Sequence, residues 1–161
     1  MIRASQSAIL LLSILVMVAS ACGEPGLPSS NIALERTSDG RVLMLYRICP
    51  GIQPERISVG NSLDRWSEPS VELLVHEKVG SLLEVELSSP AEQQLEIDKV
   101  NRPLEMEAPI FVRIDTDSIG DGIVFTAMPP PGFLRYEPFD SRQQRDVRPA
   151  VFRLTPADNC D

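Results

Sequence analysis

Histidine and aromatic side chains are scarce in this 161-residue chain, which has one His, five Phe, two Tyr and one Trp. A structural zinc site cannot be furnished by one histidine and cysteines far apart in sequence. A nucleophilic triad needs an imidazole beside Ser or Cys with an orienting carboxylate. His76 has no such neighbours in sequence, no G-x-S-x-G occurs, and it reads as an exposed residue on an acidic strand. With so few rings there is no aromatic platform for sugars, so Glu84 and Glu86 read as a solvated strand face rather than a glycosidase pair. No phosphate-binding glycine loop or dinucleotide fingerprint is present. Basic excess is missing too: 15 Lys+Arg stand against 23 Asp+Glu, a poor composition for nucleic acid, which selects basic patches. No apolar run reaches the ~20 residues that a membrane-crossing helix requires. The longest, Ala8 to Val18, has 11 residues and is broken only by Ser13.

That run is nevertheless the most informative stretch. Arg3 and the amino terminus precede it, and Ala19-Ser20-Ala21 closes it directly before Cys22. The arrangement resembles the bacterial lipoprotein signal peptide, whose lipobox sets small residues before a cysteine. The resemblance covers residues 1–22 only, and Ala19 stands where lipoboxes usually carry Leu. It implies diacylglyceryl transfer to the Cys22 sulfur, fatty acyl chains of the palmitate type, and cleavage that makes Cys22 the first residue. Ala19-x-Ala21 also satisfies ordinary secretory cleavage, so simple secretion is the alternative. Of the three cysteines, lipidation of Cys22 would remove the odd one and leave Cys49 and Cys160 to pair in an oxidising compartment.

The expected organisation is a signal peptide at 1–21, a Gly/Pro/Ser tether at 22–31 and one domain at 32–161. Without residues 1–21 the chain carries 14 basic and 23 acidic residues, a net charge of −9. The acid excess is local: residues 64–107 hold 11 acids and four bases, whereas 132–161 hold five of each.

Val42 to Ile48 is apolar on both faces for five residues, as a strand inside a sheet would be, and Cys49-Pro50-Gly51 ends it. Strands are also expected over 56–59, 95–100, 109–115, 122–128 and 151–154. Alternation over 71–75 and 83–87 predicts a hairpin through Gly80-Ser81, with a helix from Ser70 as the rival reading. Pro129-Pro130-Pro131-Gly132 reads as a stiff connection and 137–149 as a surface loop. Asp115 to Gly122 has the oxygen-rich look of a calcium loop, but Ile119 and Thr126 stand where ligands belong. Asp and Gly favour turns for backbone reasons alone, so it reads as a turn.

Many short strands, 14 prolines and no long helix predict an antiparallel β-sandwich of roughly seven to nine strands, loosely immunoglobulin-like. No catalytic, cofactor-binding or metal-ligating residues are expected. The functional expectation is a lipid-anchored cell-envelope protein, bound to the membrane through Cys22, with a non-enzymatic binding or scaffolding role. The alternative is an anchored or secreted hydrolase or metal-dependent enzyme whose site is assembled from distant residues. An exposed apolar patch would favour the first, and a deep pocket holding His76 beside carboxylates the second.

Overall fold

The structure, a computed structural model, describes residues 31–61, 69–89, 96–100, 102–117, 120–138, 143–158 and 160. The expected signal peptide, the expected lipidation site at Cys22 and most of the expected tether lie outside these residues. Among the described residues, ten strands form two antiparallel sheets packed face to face. In chain order they are β1 (Ile32–Arg36), β2 (Val42–Arg47), β3 (Pro54–Gly60), β4 (Val71–Leu74) and β5 (Leu82–Glu86). There follow β6 (Glu96–Val100), β7 (Ile110–Thr116), β8 (Asp121–Phe125), β9 (Phe133–Tyr136), β10 (Arg145–Val147) and a helix, α1 (Pro149–Leu154). One sheet has the order β10-β9-β1-β2-β5, the other β6-β4-β3-β7-β8. The antiparallel sandwich expected from the sequence is therefore the fold, with more strands than expected.

Period-two alternation builds the interior. Ile32, Leu34, Val42, Met44, Tyr46, Leu83 and Val85 of the first sheet face Ile57, Val59, Leu73, Ile110, Val112, Ile114 and Phe125 of the second. The opposite face of the first sheet is covered as well. Ala33, Leu45 and Leu134 form a second apolar cluster with Phe152 of α1. This second layer explains why β2 is apolar on both sides: Val42, Met44 and Tyr46 point between the sheets, Leu45 beneath the helix.

Turn chemistry follows the local sequence. Gly40, at φ +90°, lets the β1–β2 connection close with Gly40 N donating to Thr37 O at 3.1 Å. After β2, Pro50 and Gly51 make a tight turn, with Gly51 at φ +84° and Ile52 N donating to Cys49 O at 3.1 Å. The proline run at 129–131 lies outside any strand and carries the chain from one sheet to the other.

Four expectations are corrected. The runs at 71–75 and 83–87 are strands, but they do not pair: β4 lies between β3 and β6, whereas β5 pairs with β2 in the other sheet. Gln53 holds their connection, its Nε2 donating to Val79 O at 3.5 Å and its Oε1 accepting from Val79 N at 3.1 Å. Segment 75–81 thus crosses the sandwich instead of turning back. Residues 151–154 belong to α1 rather than to a last strand, and 145–147 within the expected loop form β10. Asn31, the expected last residue of the tether, is buried and belongs to the folded domain.

Candidate functional site

The C-terminal helix and the segment after it create the most distinctive surface of the protein. Pro149 suits the first turn of a helix because its ring presets φ and its missing N–H would be unsatisfied there anyway. Six residues are too few for a helix to persist alone, so α1 depends on what its side chains meet. Phe152 is its one buried residue. The Phe152 ring meets Tyr136 edge-on at 5.5 Å between centroids, and the Arg47 guanidinium lies over its face at 4.2 Å. A cation desolvated over a ring in this way contributes up to ~2 kcal/mol.

Arg47 is 3% exposed, an unusual burial for a guanidinium, and the segment after α1 supplies partners for it. Its Nη2 lies 3.0 Å from Asp158 Oδ2, and its Nη1 donates to Thr155 O at 3.5 Å. Burial draws Arg47 below the ordinary arginine range, with Asp158 opposing that shift. On the other side of the helix, Arg153 bridges two strands, with contacts of 2.7 Å to Glu35 of β1 and 2.8 Å to Glu84 of β5. Hydrogen bonding to Glu84 first, and to Glu35 as well, holds Arg153 above its usual value despite partial burial.

The tail is fastened at two further points. Asn31 and Asp158 exchange hydrogen bonds of 2.8 Å each, Asn31 Nδ2 donating to Asp158 O and Asp158 N to Asn31 Oδ1. Cys49 and Cys160 form the expected disulfide, with Cα atoms 5.3 Å apart. The bond joins the end of β2 to the C-terminal tail rather than one sheet to the other, so the immunoglobulin likeness does not extend to it.

Between tail and sheet lies an open groove of about 340 Å³, lined by Arg47, Tyr136, Val151, Phe152, Thr155 and Asp158 among others. On its helical side Val151 is 54% exposed, and Leu154, one turn further along α1, is 84% exposed.

No protein family, curated protein or solved structure matches this chain.

The residues singled out in the sequence sit elsewhere. His76 is exposed in the segment after β4 and does not line the groove. Glu84 and Glu86 do share a face of β5, where each meets a guanidinium: Arg153 at 2.8 Å and Arg41 at 3.5 Å. Of the segment Asp115–Gly122, Asp115 and Thr116 end β7 and Asp121 and Gly122 begin β8, two strands that pair antiparallel. Its carboxylates are engaged by protein groups: Arg113 Nε donates to Asp115 Oδ1 at 2.7 Å, and Tyr46 Oη to Asp121 Oδ2 at 2.8 Å. Among the described residues no three His, Cys, Asp or Glu side chains are grouped to hold a metal. Cys22 lies outside the described residues.

Sequence reasoning missed Arg47, Tyr136, Phe152 and Asp158. One signal was available: Arg47 is a charge inside the apolar strand run Val42–Ile48, and a buried charge calls for a partner.

Proposed function

We propose that this protein is a lipid-anchored component of the bacterial cell envelope, held by acyl chains on Cys22, with a binding or scaffolding role rather than a catalytic one. The observation that carries the reading is the apolar rim of α1. On an acidic, charge-rich protein, Val151 stands exposed in the lining of an open groove and Leu154 is exposed one helical turn further on, and exposed apolar surface next to a concavity is how contact sites present themselves. The backing beneath it suits the same role, since Phe152 and Arg47 fix the helix to the sheet and the disulfide fixes the tail that follows it. His76, on a segment of the other sheet, contributes nothing to the groove.

The test has two arms. Cys22→Ser should release the protein from the membrane fraction or leave it unprocessed, and intact mass of the native form should show acylation. Leu154→Asp should abolish photo-crosslinks made from the α1 rim in intact cells while leaving the melting temperature unchanged. An unmodified Cys22 terminus would defeat the anchor. Crosslinks indifferent to Leu154→Asp would defeat the contact site.

A further inference from the structure

The ion pair that lines the groove is difficult to explain by stability. Arg47 occupies a position of β2 whose neighbours on the same face, Leu43 and Leu45, are aliphatic. A buried guanidinium–carboxylate pair contributes little net stability, because desolvation cancels most of the attraction and apolar replacements are often neutral or better. Helix and tail have other fastenings in Phe152, Arg153, Asn31 and the disulfide. The pair does hold a guanidinium ready at the wall of a concavity.

Its two members are unequally placed. The Arg47 side chain is 3% exposed and held over the Phe152 ring, whereas that of Asp158 is 47% exposed in the groove lining. Asp158 is tied to the fold through its main chain, since its N–H and C=O both bond the Asn31 side chain. Its carboxylate can therefore rotate into water without undoing the tail. An incoming carboxylate that takes its place on Arg47 Nη2 exchanges one charge-assisted hydrogen bond for another. The exchange itself is close to neutral, so contacts made by the rest of the ligand decide it. Those contacts are apolar on one side, where Tyr136, Pro138 and Val151 line the groove. Arg145 stands opposite Tyr136 in the β9–β10 register, exposed and on the same face of the sheet, and its charge offsets that of the displaced Asp158. A volume of about 340 Å³ lies within the range that small ligands occupy.

We propose that the groove binds a monocarboxylate with a compact apolar body, its carboxylate on Arg47 and its body against Tyr136 and Val151, and that Asp158 is the chain's own competitor for Arg47. This rests on the binding role proposed for the same surface and gives that role a ligand chemistry. Two sources carry the chemistry: a free small acid and the C-terminal residue of a polypeptide.

The test uses the full native chain in a neutral detergent. Hydrocinnamate serves as the free acid and an acetylated tripeptide ending in phenylalanine as the terminus, each beside its carboxamide. Binding is read from NMR shifts of the Tyr136 and Phe152 rings. At least one acid should bind, and its amide about tenfold more weakly or worse, the loss expected for a hydrogen bond to a charged group. Asp158→Asn, which keeps the backbone bonds to Asn31, should tighten the acid several-fold and leave the amide unchanged. Arg47→Met should abolish the preference for acid over amide. A purely structural ion pair predicts the opposite sign at Asp158, because a loosened tail would weaken every ligand alike. Weaker acid binding in Asp158→Asn, or acid and amide bound equally by the native chain, overturns the proposal. Failure of both acids to bind at millimolar concentration also overturns it, and leaves the contact site standing if crosslinks from α1 remain sensitive to Leu154→Asp. Should Arg47→Met not fold, the acid-to-amide ratio in the native chain and in Asp158→Asn still decides. Binding of the free acid alone assigns the groove to small acids, and binding of the tripeptide alone assigns it to a partner's C-terminus.

Discussion

Tyr46 illustrates how one polar atom is accommodated within the apolar core. The ring belongs to the interior, 2% exposed, and its hydroxyl donates to Asp121 across the sandwich. Tyr46→Phe should cost ~1.5–3 kcal/mol, the range for a hydrogen bond to a charged group, read from urea unfolding. Burial, and secondarily the Asp121 charge, raises the Tyr46 pKa above its ordinary value. A raised folded-state pKa gives a contribution that is complete below the unfolded value of ~10 and lost as pH climbs through the folded value. Wild type should therefore lose more stability than Tyr46→Phe as the solution is taken above about pH 10; equal losses would show that the tyrosine ionises as easily folded as unfolded. Gly60 tells a steric story. It pairs with Phe111 across β3 and β7, and a Cβ at Gly60 would overlap that ring. Gly60→Ala should destabilise by ~1–3 kcal/mol, as overpacking does, and Phe111→Leu should relieve part of the loss. Neither pairing was legible from sequence, because Tyr46–Asp121 and Gly60–Phe111 are products of register between distant strands.

At the level of elements, legibility followed periodicity. β5 alternates cleanly between core and outer positions, and β7 carries the sequence alternation of Ile110, Val112 and Ile114 although Phe111 is buried as well; each was visible as a strand. β1 was not, because four of its five residues are buried and no wet face marks a period. The segment 151–154 was misread for a related reason. Four residues do not distinguish a period of 2.0 from one of 3.6, and the informative mark was Pro149 at the start of the helix. Partner choice was still harder to read: β4 and β5 follow one another in sequence yet belong to different sheets, and the connection between them is held by Gln53, a residue 26 positions upstream of Val79. For α1 the consequence is direct. Its helicity depends on docking, and docking depends on Phe152. Phe152→Ala should cost up to ~3–5 kcal/mol, the range for truncating a buried ring. Amide exchange over 149–155 should accelerate far more than over β3 or β7. Val151→Ala, on the exposed side, should stay within about ±0.5 kcal/mol. Uniform acceleration across both sheets in Phe152→Ala would mean that the helix is part of the global folding unit rather than a layer laid upon it.

Across the whole molecule, the two-sheet architecture and the Cys49–Cys160 bond could be anticipated from strand density, an N-terminal run that resembles a signal peptide and a count of cysteines, whereas the groove could not. Its walls come from β2, β9, α1 and the tail, pieces that only the folded topology assembles. The disulfide closes a separation of 111 residues, and in the chain-entropy model a loop of that order contributes ~4–5 kcal/mol by restricting the unfolded chain. Measured losses should fall somewhat below that figure, because real unfolded chains are not the ideal coils the model assumes. Reduction, or Cys49→Ala with Cys160→Ala, should lower the urea midpoint markedly. The denaturant slope should rise slightly as the freed chain expands further. Locally, Asn31, Arg47 and Arg153 still hold the tail when the bond is absent, so the native fold and α1 should persist at low denaturant, by circular dichroism and by protection of Phe152 from exchange. Loss of α1 protection on reduction, with both sheets unaffected, would instead make the disulfide the principal clamp of the groove. Membrane attachment should be the same in either redox state, since the proposed anchor at Cys22 takes no part in the bond.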